Sequence, residues 1–185
     1  MNIHIIGGGN LGVAIALGIS KYTQHKLTVT RRQVDAISHL QTHGIAVSAH
    51  NTHNLDQADL IVLAIKPYQV QTVLDEIKPQ LKNQIIASAV TGCSLADLRS
   101  MLTPQTPIVR IMPNTPAMIG KGVAGLYAPR GVDEQDRDAA QRIMAAAGST
   151  VWLDEESGID DITAISGSGP AYVFYFIEGL IDAAR

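Results

Sequence analysis

Short apolar runs rich in Val and Ile alternate along most of the chain with polar or amphipathic stretches. The runs fall at residues 3–6, 27–30, 45–48, 60–65, 85–89, 108–112, 123–128 and 150–153, each with the length and side-chain type of a strand. Those at 60–65 and 85–89 are apolar at nearly every position, as strands are when helices cover both faces. The charge sits between them, and directly after the first run Leu11, Ala14, Ile15 and Ile19 recur on one helical face. This alternation predicts an α/β fold: a mainly parallel sheet with helices on both faces.

The pattern changes after Leu153. Asp154-Glu155-Glu156-Ser157-Gly158 is a polar break, followed by a short helical stretch, a Ser/Gly turn and an apolar helix from Ala171 to Arg185. A boundary is therefore predicted between 1–157, the α/β domain, and 158–185, the beginning of an all-helical domain. Tyr172, Val173, Phe174, Tyr175, Phe176, Ile177, Leu180 and Ile181 surround most of the last helix, and such a helix needs a cover. No segment remains to bury it, so the expectation is a chain cut short within a longer one, ahead of a tight partner surface.

Composition narrows the function classes. With 185 residues and 46% hydrophobic content the chain can bury a core. A net charge of −3 without a basic run, and only 2 Phe, 1 Trp and 5 Tyr, argue against nucleic acid. There is no charged leader before the first strand and no apolar stretch of about 18 residues to span a membrane, so a soluble, cytoplasmic protein with a small-molecule partner is expected. The single cysteine, Cys93, has no His or acid beside it and is expected to be an inert core residue.

The first strand breaks into Gly7-Gly8-Gly9-Asn10-Leu11-Gly12 and then into the amphipathic helix. Gly7 permits a tight turn, Gly9 lets backbone approach a diphosphate, and Gly12 lets helix close on strand, while the helix N-terminus offers unpaired N–H donors. A dinucleotide is the expected ligand. At the end of the second strand, where an acid would hold the ribose 2′-hydroxyl of NAD, stand Thr30-Arg31-Arg32. Guanidinium groups there would form charge-assisted bonds to a 2′-phosphate, so NADPH is preferred, with NADH possible.

Three later motifs sit at strand or helix ends. Lys66 closes the fourth strand after Ala64-Ile65, and Pro67 starts the next helix, placing a cation at the rim where open α/β sheets bind ligands. In Met112-Pro113-Asn114-Thr115-Pro116 two prolines fix the backbone around two hydrogen-bonding side chains, a rigid rim suited to a flat ring. Ser166-Gly167-Ser168-Gly169-Pro170 can turn N–H groups toward an anion such as a substrate carboxylate. Lys66, Asn114 and Thr115 are the candidate catalytic residues, although none is a convincing proton donor.

The glycine turn, AIKP at 64–67, RIMPNTP at 110–116 and SGSGPAY at 166–172, in that order, closely resemble pyrroline-5-carboxylate reductase, and the resemblance spans essentially the whole chain. It implies a Rossmann-like domain followed by a helical domain that forms a homodimer or higher homo-oligomer and helps build the substrate pocket. The implied reaction is NAD(P)H-dependent reduction of 1-pyrroline-5-carboxylate to L-proline, the last step of proline biosynthesis. The resemblance also puts the main chain of Ile65 and Lys66 beside the nicotinamide ribose and Asn51 near the adenosine ribose. The family's helical domain continues further, and its hydroxyl-bearing substrate loop has no counterpart here, so a fragment inactive alone is among the expectations.

Two other readings stand beside this one: an NADP-dependent reductase of the β-hydroxyacid dehydrogenase type, and a non-catalytic NADP-binding module. A metal site is not expected. His39 and His43 lie one turn apart on a predicted helix with His50 and His53 following, but no Cys or carboxylate completes the set. The acids Asp154, Glu155, Glu156, Asp160 and Asp161 read as a solvated linker and helix N-terminus.

Overall fold

The computed structural model describes residues 1–21 and 25–185. Eight strands form one sheet: β1 Asn2–Ile6, β2 Lys26–Thr30, β3 Ala46–Ser48, β4 Leu60–Leu63, β5 Ile85–Ser88, β6 Ile108–Met112, β7 Gly122–Tyr127 and β8 Gly148–Trp152. Their spatial order is β3-β2-β1-β4-β5-β6-β7-β8. All neighbours pair in parallel except β6 and β7. The exception has a simple cause. The connection from Pro113 to Lys121 holds only a turn of 3₁₀ helix, Thr115–Ile119, and a parallel crossover needs about a dozen residues.

The helices are α1 Asn10–Ile19, α2 Val70–Ile77, α3 Leu95–Met101, α4 Glu134–Ala145, α5 Gly158–Ile162 and α6 Gly169–Ala183. Side chains alternate across the sheet and bury two cores. Ile3 and Ile5 of β1 pack with Ile15 and Ile19 of α1 and with Ala140 and Ile143 of α4. Ile6 joins the opposite core with Ile61 and Leu63 of β4, Val70 and Leu74 of α2 and Leu98 of α3. β4 and β5 are buried at every position, as their unbroken apolar pattern predicts. This is the Rossmann-like, mainly parallel arrangement expected from the sequence. Strand order reverses between β1 and β4, so the sheet opens a crevice beyond their carboxyl ends.

Two local expectations need correction. The segment carrying His39 and His43 is a 3₁₀ helix, Val34–His43. There the Ser38 hydroxyl donates to the Asp35 carbonyl at 2.9 Å and the Thr42 hydroxyl to the His39 carbonyl at 2.7 Å, local bonds that compete with α-helical ones. The Ser/Gly turn expected at 166–169 is instead part of a continuous helical run. Residues Thr163–Gly167 form π helix between α5 and α6, with the Ser168 N–H bonded to the Thr163 carbonyl at 2.9 Å. Ser166 to Gly169 therefore do not open a free helix N-terminus. The apolar side chains of α6, as the sequence leads one to expect, find no cover among the described residues: Phe174 is 63% exposed and Tyr175 80%. α5 by contrast is anchored, with Ile159 fully buried and α5 packed on β6 and β7.

Candidate functional site

The glycine turn is shaped by contacts that only glycine tolerates. Gly7 has φ +110°, and a Cβ there would collide with the Ala64 carbonyl oxygen at the end of β4. A Cβ on Gly12 would strike the Gly7 carbonyl oxygen, so α1 rises directly over the turn. Gly9 differs: its φ is −83°, and a Cβ would meet nothing within 4 Å. Its openness belongs to the crevice and not to the packing. The Gly7 and Gly8 N–H groups both donate to the Thr30 carbonyl, at 3.1 and 2.8 Å, tying the turn to the end of β2. Gly9 caps α1 without a side-chain bond, and the first turn carries no acid, so the positive dipole end of α1 has no side-chain acceptor or acid of its own to complement it.

The crevice beyond β1 and β4 has a volume of about 870 Å³. Of the residues singled out by sequence, Gly7, Gly8, Gly9, Thr30, Arg31, Arg32, Asn51, Ile65 and Lys66 line it. Asn10, Leu11 and Gly12 belong to the first turn of α1 behind it. Pro67 opens the 3₁₀ turn that leads into α2. The remaining walls come from residues that sequence reasoning missed, among them Tyr68, Gln69, Thr72 and Glu76. Tyr68, 81% exposed, followed the Lys66-Pro67 signal directly and could have been included. Glu76 gave no signal as one acid on an amphipathic helix.

Arg31 and Arg32 are placed differently. Arg31 is half-buried, and its Nη1 donates to the Gly8 carbonyl at 2.8 Å, bracing the turn. Arg32 is exposed. Below them runs a polar relay. The Thr30 hydroxyl, on a residue 1% exposed, donates to Asn51 Oδ1 at 2.7 Å, and Asn51 Nδ2 donates to Glu76 Oε2 at 2.8 Å. His4 on β1 is 2% exposed and its Nε2 has no partner. Burial pulls its pKa from 6.5 down to about 4, against a smaller upward pull from the Asn51 backbone.

Asn114 and Ser166 do not line the crevice; they meet each other. Asn114 Nδ2 donates to the Ser166 hydroxyl at 2.9 Å, while Asn114 Oδ1 accepts from the Val123 N–H at 3.0 Å. The turn that follows, carrying Thr115, packs on α1, and Thr115 is exposed. Lys66 is also exposed, and its N–H donates to Gln69 Oε1 at 3.1 Å. A second clasp joins the same parts of the fold. Buried Arg110 of β6 pairs with Glu156 at 2.8 Å, and the same Glu156 oxygen accepts from the Leu95 N–H at 2.6 Å. Glu156 therefore ties β6 and the start of α3 to the segment entering α5. Among the described residues no group of three or more His, Cys, Asp or Glu is placed to hold a metal.

Comparison with known proteins decides the family. Residues 2–92 match the family described as NADP oxidoreductase, coenzyme F420-dependent, and residues 156–185 match that of pyrroline-5-carboxylate reductase dimerisation. A pyrroline-5-carboxylate reductase of Haemophilus influenzae is 34% identical over 184 residues, covering 98% of this chain and 68% of its own. The chain belongs to the pyrroline-5-carboxylate reductase family. A solved reductase from Coxiella burnetii superposes with TM-score 0.89 at 35% identity, over 99% of this chain and 70% of that one. The Plasmodium falciparum reductase, solved with NADP bound, superposes with TM-score 0.87 at 32% identity, over 100% of this chain and 69% of that one. As a member of the family the protein is an NAD(P)H-dependent oxidoreductase that reduces 1-pyrroline-5-carboxylate to L-proline. The matched dimerisation segment contains the exposed apolar face of α6, consistent with a homo-oligomer. No helix among the described residues is long and apolar enough to cross a membrane.

Proposed function

We propose that this reduction uses NADPH held along the β1/β4 crevice, with Gly7, Gly8, Gly9, Asn10, Leu11 and Gly12 cradling the diphosphate. The observation that carries this reading is the pairing of a built turn with an open one: Gly7 and Gly12 are closed by packing, while Gly9 faces space that no protein atom fills. Thr30, Arg31 and Arg32 receive the 2′-phosphate end, and Asn51 stands by the adenosine ribose. At the other end the main chain of Ile65 and Lys66, with Pro67 fixing their exit, meets the nicotinamide ribose. The Plasmodium reductase, solved with NADP bound on a closely similar fold, supports the choice of coenzyme.

Reduced nicotinamide supplies the hydride that the C=N carbon of the substrate accepts. The chain's own work is positioning and electrostatics. Lys66 places a cation at the rim, where it favours anionic coenzyme and substrate groups. Asn114 and Thr115 hold a rigid rim between α1 and the helical run, and Asn114 fixes Ser166 in place. Ser166, Gly167, Ser168 and Gly169 are the proposed dock for the substrate carboxylate. The π-helical turn supports that role, because such turns break the regular helix bonding and recur at functional positions.

In this reading residues 1–157 are the coenzyme domain and 158–185 begin the helical one, with α5 as a strut between them and α6 as the homodimer face. A cytoplasmic enzyme is part of the proposal. The test is NADPH oxidation by the complete protein that depends on added 1-pyrroline-5-carboxylate. Loss of absorbance at the reduced-nicotinamide band without imine, or none with it, refutes the proposal.

A further inference from the structure

Resting on the coenzyme reading above, we infer that Glu76 reads the exocyclic amino group of the adenine and makes the crevice selective for adenine over 6-oxo purine dinucleotides. Three cations line the crevice, Arg31, Arg32 and Lys66, and Glu76 is its one carboxylate. A carboxylate opposes every phosphate that enters, so in such a crevice Glu76 suits a donor on the neutral part of the ligand. Exposed Glu76 forms no ion pair among the described residues, and its partner there is the Asn51 amide.

The relay through Asn51 decides which oxygen is available. Asn51 Oδ1 is taken by the Thr30 hydroxyl at 2.7 Å, which orients the amide so that Nδ2 donates to Glu76 Oε2 at 2.8 Å. Oε1 is left as an acceptor at the crevice wall. Thr30 is itself fixed, nearly fully buried and carrying the Gly7 and Gly8 N–H groups on its carbonyl. The carboxylate is thus held in register with the turn that takes the diphosphate.

Going outward from that turn, the ligand presents its ribose beside Thr30 and Arg31 and then its base, between the β2 side and α2. The 2′-phosphate offers acceptors alone and suits the arginines. On α2, Glu76 lies one helical turn beyond Thr72 and Val73, further from the Lys66 end, where the outer edge of a purine would lie. The donor on that edge of adenine is the 6-amino group. Hypoxanthine carries a carbonyl oxygen at the same position and would set lone pairs against Oε1.

The probe is deamino-NADPH, the hypoxanthine coenzyme, titrated beside NADPH into the full chain by reduced-nicotinamide fluorescence. The unsubstituted protein is expected to bind NADPH about tenfold or more tightly than the deamino form, the size of a hydrogen bond to a charged group. In Glu76→Gln the side-chain oxygen still accepts from Asn51, while its amide presents a donor, so the preference should shrink to about threefold or reverse. An equal ratio in both proteins overturns the assignment of Glu76 and leaves the coenzyme site standing. Absence of binding by either coenzyme overturns both.

Discussion

Asn114 and Ser166 lie 52 positions apart in the chain, yet the Asn114 amide donates to the Ser166 hydroxyl at 2.9 Å and its oxygen accepts from the Val123 N–H. One side chain therefore clasps the strand-end loop, β7 and the π-helical turn. Asn114→Ala removes both bonds and should cost about 1–2 kcal/mol in urea unfolding. If the proposed carboxylate dock depends on this clasp, KM for the imine should rise more than kcat falls. A double-mutant cycle with Ser166→Ala should return a coupling of about 0.5–1 kcal/mol, and additive losses would separate the two residues.

The glycine turn allows folding and binding to be told apart. Gly9→Ala puts a methyl group into open space at a φ that any residue adopts, so stability should stay within about 0.5 kcal/mol of the parent. NADPH affinity should nevertheless fall, because the methyl occupies room proposed for the diphosphate. Gly7→Ala strikes the Ala64 carbonyl at a positive φ and should destabilise by about 1–3 kcal/mol. Equal NADPH affinity in Gly9→Ala and the parent would count against the diphosphate position.

All eight strands and the glycine turn at the crevice could be read from residue pattern, because a buried parallel sheet demands apolar runs and a tight β-to-α turn demands glycine. Side-chain partnerships across distance had no such local signature. Nothing near Arg31 in the chain announces its bond to the Gly8 carbonyl, and nothing near Glu76 announces Asn51. The Ser/Gly stretch misled for a related reason: glycine permits a turn but does not impose one, and helical neighbours on both sides carried the chain through as π helix. His4 stands in the sequence as the one polar residue within the apolar run 3–6, a signal of a buried ring that sequence reasoning missed.

Arg31 and Arg32 should separate the two coenzymes. The double substitution by alanine removes two cations from the proposed 2′-phosphate end, and its effect on NADPH should exceed its effect on NADH by about tenfold or more. Because Arg31 also braces Gly8, Arg31→Ala alone should weaken both coenzymes, whereas Arg32→Ala should weaken NADPH selectively. Parallel losses for NADPH and NADH in all three proteins would place the phosphate elsewhere.

The Arg110–Glu156 pair predicts a stability loss from a residue distant from the crevice. Arg110 is buried, and the Glu156 side chain is 32% exposed, so solvent screens part of the cost of stranding the partner. Arg110→Ala should destabilise by about 2–3 kcal/mol, below the usual range for a fully buried pair. Glu156→Gln keeps an acceptor for the Leu95 N–H and should cost less. Chemical denaturation at neutral pH distinguishes them, and a Glu156→Gln loss equal to that of Arg110→Ala would mean the charge, and not the hydrogen bonds, holds the clasp.

His4 sets an acid limit on the fold. Its pKa falls from 6.5 to about 4 chiefly because burial disfavours the charged ring, so the native state keeps it neutral where the unfolded chain takes up a proton. Between those two values stability must fall as pH falls, and below about 4 this contribution levels off, with a total on the order of 3 kcal/mol. The loss is small at pH 7, where the native ring is neutral and the unfolded one mostly so. His4→Leu removes the titrating group and the unpartnered Nε2 together, so its unfolding free energy should change less between pH 7 and pH 4.5 than that of the parent. Carboxylates titrate over the lower part of the same range in both proteins, and the difference between the two pH profiles isolates the histidine; superimposable profiles would mean that His4 takes up its proton without cost.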